Sequence, residues 1–112
     1  MLSQAERRVF PRYSVCIPVR FSSDMLDFDG TVEIWEGETA DVSRSGLYVR
    51  SDYLEVPGTP VQVSLQMPGG KHRLHLTGRV AWVLEVPPKG PGMGIRLRDG
   101  PIGEKLFERL LR

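Results

Sequence analysis

Three arginines fall within six residues near the start of the chain, in Glu6-Arg7-Arg8-Val9-Phe10-Pro11-Arg12, on a segment whose apolar residues follow no helical period. A guanidinium is a planar, permanently charged fork. It pairs bidentately with phosphate, matches the O6 and N7 edge of guanine and stacks on a purine face. Several of them on one segment suggest a phosphorylated purine as ligand. A second pattern, Asp41-Val42-Ser43-Arg44-Ser45-Gly46, leads into a strand that begins near Leu47. A carboxylate accepts from guanine N–H donors, a serine hydroxyl bonds a base or a phosphate, and glycine permits positive φ or close ligand approach. The two halves together could complete a nucleotide site. Each alone is ordinary, because a charged N-terminal segment is usually solvated and Asp-x-Ser-x-x-Gly is a common turn composition.

Other chemistry finds little support. His72 and His75 lie three apart with no nearby cysteine, which is not a metal-ligand spacing. Asp41 and Ser43 come with neither a nucleophile elbow nor a phosphate-binding glycine loop. The sequence therefore reads as a binding module and not an enzyme, without metal or cofactor. Cys16 has no histidine beside it and reads as structural or incidental. Arg96 sits on the polar face of a strand and could reach the same surface as the motifs, although an exposed strand arginine is ordinarily solvated. Trp82 falls on an apolar face and is expected in the core rather than against a base.

The elements that must position these residues are mostly strands. Val15, Ile17, Val19 and Phe21 alternate with Cys16, Pro18, Arg20 and Ser22, and Val61, Val63, Leu65 and Met67 alternate with Gln62, Ser64 and Gln66. Period two marks half-buried antiparallel strands. A long strand is expected from Leu74 through Val86, bent or bulged at Gly78. Shorter ones are expected at Val32 to Trp35, Leu47 to Arg50 and Met93 to Leu97. Pro18 implies an edge or a bulge. Turn chemistry separates the strands at Asp29-Gly30, Pro57-Gly58, Pro68-Gly69-Gly70 and 87–92. Six short strands with close turns predict an all-β, six-stranded antiparallel β-barrel. Ile102, Leu106 and Leu110, with Phe107 and Leu111, change to a four-residue period and predict a short C-terminal helix lying on the barrel. Asp99 and Gly100 stand at its N-cap and Pro101 in its first turn.

With 112 residues, 40% hydrophobic and 26% charged, the chain reads as one globular domain. The expected division is a flexible arginine-rich loop over 1–13, a barrel over 14–98 and a helix over 100–112.

The order of the two motifs resembles that of the PilZ domain family. There an Arg-x-x-x-Arg loop before the first strand is followed, some thirty residues later, by Asp/Asn-x-Ser-x-x-Gly at the start of another strand. Here Arg8 and Arg12 match the first, and Asp41, Ser43 and Gly46 match the second. Gly94-Ile95-Arg96-Leu97, followed by a helix, is similar to the family's closing strand. The resemblance implies a six-stranded barrel that binds the bacterial second messenger cyclic di-GMP, its arginine loop folding over the ligand. Arg8 and Arg12 would hold phosphates and guanine faces, Asp41 and Ser43 would meet a guanine edge, and Gly46 would let the backbone turn nearby. Arg7, a further arginine just before the motif, implies a stacked pair of ligand molecules per domain. Closure of the loop would signal to a protein partner in motility, secretion or polysaccharide synthesis.

The 15 basic and 14 acidic residues nearly cancel, so bulk charge will not hold a nucleic-acid polymer or an anionic membrane. A single cysteine and the lack of a long apolar run make the cytoplasm the default location. Two alternatives stay open. One is an adaptor of the same fold that binds no nucleotide. The other is a small barrel for single-stranded nucleic acid, which would need exposed aromatics along a basic groove; Phe10, Phe28, Trp35 and Tyr48 are the candidates for partial exposure.

Overall fold

The computed structural model describes residues 10–23 and 33–112. Its strands are β1 (Pro18–Ser23), β2 (Trp35–Val42), β3 (Gly46–Arg50), β4 (Pro60–Gln66), β5 (Arg73–Leu84) and β6 (Gly92–Leu97), followed by helix α1 (Glu104–Leu110). All neighbours are antiparallel, and the order β1-β2-β3-β6-β5-β4 closes into a barrel. The predicted all-β barrel with a C-terminal helix is thus the observed architecture.

Closure follows from the alternation. Val19 and Phe21 of β1, Val61, Val63 and Leu65 of β4, and Met93 and Ile95 of β6 all point inward and are buried. Their intervening neighbours Arg20, Gln62 and Arg96 face water. Removing this apolar surface from water, at about 25 cal/mol per Å², is what holds six short strands together. Pro18 is the first residue of β1, a place where a strand tolerates the missing N–H. Just before it, Val15 and Ile17 leave the regular ladder and are held by a side chain. Thr39, buried in β2, accepts at Oγ1 from the Ile17 amide at 2.9 Å and donates to the Val15 carbonyl at 2.6 Å.

Several expectations are corrected. The strand expected at Val32 to Trp35 begins at Trp35 and continues to Val42, so Asp41 belongs to β2 and not to a turn; Val32 lies outside the described residues, as does the Asp29-Gly30 turn. Gly78 carries neither bulge nor bend. It pairs in register with Val61 and Leu97, and a Cβ there would stand 2.6 Å from the Ile95 side chain. The irregularity of β5 comes later, between Val80 and Trp82. Val86 lies beyond the strand, 67% exposed.

The helix starts later than expected. Gly100 has φ of 92°, a left-handed conformation that cannot begin an α-helix. The Ile102 amide donates to the Arg44 carbonyl at 2.7 Å, which commits that residue to a tie with the barrel. Asp99 accepts from the Thr77 hydroxyl instead of capping, and Gly103 is the N-cap, without a side-chain bond. Ile102, Phe107 and Leu110 are buried, so the helix packs its apolar face on the barrel.

Candidate functional site

The two motifs, some thirty residues apart in sequence, meet through one backbone bridge. The Tyr13 amide donates to the Val42 carbonyl at 2.8 Å and the Val42 amide donates back at 2.9 Å. The Tyr13 ring also rests on Phe107 of α1, centroids 5.7 Å apart. Pinned in this way, Arg12 lines the same cleft as Asp41, Ser43 and Gly46, a space of about 190 Å³. Arg7 and Arg8 lie outside the described residues.

Within the second motif the residues divide their work. Ser43 is buried at 7% exposure, and its Oγ accepts from the amides of Ser45 and Gly46, each at 3.2 Å. The Ser43 amide donates to the Gly46 carbonyl at 2.8 Å. This serine builds the tight turn between β2 and β3, which places Asp41 on one side of the cleft and Ser45 on its rim. Gly46 is needed for proximity and not for positive φ, because a Cβ there would stand 2.6 Å from the Ile95 carbonyl oxygen on β6. Arg44 is tied elsewhere. Its Nε donates to the Ile102 carbonyl at 2.7 Å, and its guanidinium lies under the half-buried ring of Phe10, 4.7 Å from the centroid.

Two β-bulges complete the cleft. On β2, Thr39 pairs with Val49 but Asp41 pairs with Tyr48, so Ala40 is extra. On β5, Val80 pairs with Ile95 but Trp82 pairs with Gly94, so Ala81 is extra. Thr39 and Val80 both point inward, at 1% exposure each. Strict alternation would have buried Asp41 and Trp82 as well. Each bulge advances the phase by one residue and turns the next side chain outward. Asp41, Tyr48, Gly94 and Trp82 thereby form one lateral row across β2, β3, β6 and β5.

This overturns the core assignment of Trp82, which is 39% exposed and lines the cleft. Its indole stacks on Tyr48, centroids 5.1 Å apart with planes inclined by 16°. Tyr48, a candidate for partial exposure, is instead buried beneath it and donates its hydroxyl to the Lys89 carbonyl at 2.7 Å; burial raises its phenol above the ordinary value. Both rings lie across glycines. A Cβ on Gly94 would collide with the Trp82 indole and one on Gly92 with the Tyr48 ring. Gly92-Met93-Gly94, with Met93 inward, is the sequence signal that could have located this aromatic floor.

The cleft is cationic on two sides. Arg12 and Arg96 line it, are exposed, and have no hydrogen-bond or ion-pair partner among the described residues. Asp41 supplies an acceptor in the same cleft and Trp82 an exposed aromatic ring. Such an arrangement can stack a planar heterocycle, bond its N–H edge and neutralise an anion. His72 and His75 are exposed, and no group of metal-ligating side chains occurs among the described residues. Cys16 is exposed and donates to Glu38 at 3.0 Å, a bond that raises its thiol above the ordinary value.

The class these features define is a small closed barrel with a cationic, aromatic-floored cleft on its outer face. Residues 6–112 match the family model described as the PilZ domain, and the chain belongs to that family. No curated protein matches it. Among solved structures it is similar to the PilZ domain of CeSA from a cellulose-synthesizing bacterium, with 22% identity and a TM-score of 0.61, over 91% of this chain and 92% of that one. It is also similar to the Bacillus subtilis inhibitor of motility MotI/DgrA, with 16% identity and a TM-score of 0.66, over 99% of this chain. The chain spans about half of that protein, 53% of its length. At these identities the likeness is one of fold.

Proposed function

We propose that this PilZ domain is a cytoplasmic receptor for cyclic di-GMP, binding without turnover and passing the signal to a protein partner. The observation that carries the reading is the Tyr13–Val42 bridge. It sets Arg12 of the first motif in one cleft with Asp41 and Gly46 of the second. Arg12, joined by Arg8 and Arg7 of the N-terminal segment, takes phosphate and guanine edges by bidentate pairing. Asp41 accepts from the N1–H and N2–H donors of a guanine, and the exposed face of Trp82 receives a base by stacking. Ser43 acts mainly by holding the turn. The three arginines in sequence favour a stacked pair of ligand molecules.

Folding of the N-terminal segment over the ligand is the switch, and the surface so formed engages the partner. Of the two similar structures described above, one is an inhibitor of motility and the other comes from a cellulose-synthesizing bacterium, which supports a partner in motility or polysaccharide synthesis. No described helix is long and apolar enough to cross a membrane.

Calorimetric titration of cyclic di-GMP tests the reading, with GTP and cyclic di-AMP as controls. Saturable binding, reduced at least tenfold in Arg12→Ala and Asp41→Ala, is the expected result, with a stoichiometry near two that falls to one in Arg7→Ala. Absence of heat and of any thermal shift at high ligand concentration would reject it and leave the adaptor that binds no nucleotide.

A further inference from the structure

We infer that Arg96, on the last strand and outside both motifs, is a phosphate-holding residue of the same cleft, and that Gly46 is small partly to give it room. The inference rests on the receptor reading and adds a residue that neither motif contains. Arg96 pairs laterally with Gly46 on β3 and with Arg79 on β5. On the glycine side no side chain stands in its way, so the guanidinium has a clear path over β3 to Ser45 and Arg12, with which it lines the cleft. On the other side stands a like charge. Two arginines directly opposite on one face of an antiparallel pair repel each other. Arg79 is held off by donating to the Gly58 carbonyl at 2.8 Å, whereas Arg96 has no partner among the described residues. An unpaired cation facing another cation at the edge of a cleft is relieved by an anion. The adjoining row offers Trp82 as a base platform, so the anion that fits is the phosphodiester of a nucleotide stacked there.

The test is calorimetric titration of the full chain with cyclic di-GMP at low and moderate salt, comparing Arg96→Gln, Arg96→Lys, Arg79→Gln and Arg12→Gln. Losing one charge-assisted contact weakens binding about tenfold, so Arg96→Gln falls by that factor and responds less to salt than the wild type. Arg96→Lys keeps the charge and retains most of the salt response. Arg79→Gln, which removes the same charge one strand away, changes affinity by less than about twofold. If Arg96→Gln binds as the wild type does while Arg12→Gln is crippled, Arg96 is a solvated strand residue and the inference fails with the receptor reading intact. Equal losses in Arg96→Gln and Arg79→Gln would reduce both to a general field and also overturn it. A wild type that binds no cyclic di-GMP would instead defeat the receptor reading itself.

Discussion

Asp41 and Trp82 stand at opposite ends of one cross-strand row, and each is turned outward by a bulge residue, Ala40 or Ala81, immediately before it. Between them lie Tyr48 and Gly94. A barrel wall with an uninterrupted period of two would hide both ends in the core. The cleft exists because two strands break that period at the same level.

The glycine in this row sets its geometry. Gly94→Ala places a methyl group against the Trp82 indole, and overpacking of this kind costs about 1–3 kcal/mol. We expect that loss in urea denaturation, with a changed Trp82 fluorescence. Adding Trp82→Ala recovers a large part of it, since neighbouring sites couple. Strict additivity of the two substitutions would show that the indole does not lie over Gly94.

Thr39 holds the chain entering β1. Thr39→Val keeps the shape but strips the acceptor from the Ile17 amide and the donor from the Val15 carbonyl. Two backbone groups left unpaired near the core predict a loss of about 2–4 kcal/mol. A loss below about 0.5 kcal/mol in chemical denaturation would mean that water satisfies both groups.

Tyr53, between β3 and β4, stacks on Trp35 at 3.9 Å and donates its hydroxyl to Glu55. That hydrogen bond, with burial and the nearby carboxylates, pushes its phenol up to about 12. The folded value exceeds the unfolded one of roughly 10. The bond therefore stabilises fully below pH 10 and is lost as pH rises from 10 through about 12. A tyrosinate absorbance titration should show a phenol ionising near pH 12 that moves down in Glu55→Gln. Superimposable curves for the two proteins would contradict the assignment.

The barrel was legible because its inward residues are strongly apolar and its turns carry glycine and proline. Val61, Val63 and Leu65 of β4 could have pointed only one way. Both motifs were legible as residue types, yet two features escaped. A bulge adds one residue without altering composition, so Trp82 continues the in-phase apolar series Leu74, Leu76, Val80 while facing water. Likewise Asp99, Gly100 and Pro101 have the composition of a helix start, but the left-handed backbone of Gly100 and the Ile102–Arg44 tie delay α1. Tertiary pairing decides such positions, and only cross-strand partners reveal it. The role of Ser43 is local by contrast: its hydroxyl is committed to the turn by neighbours only two and three residues away, in keeping with the turn composition of its motif.

The chain has two tryptophans, Trp82 in the cleft and Trp35 stacked on Tyr53 away from it. Their indole N–H signals in a proton–nitrogen correlation spectrum report the site directly. On adding cyclic di-GMP, the Trp82 signal should shift and saturate while that of Trp35 stays in place. A stationary Trp82 at saturating ligand, or movement of Trp35 alone, would contradict the placement of the ligand in this cleft.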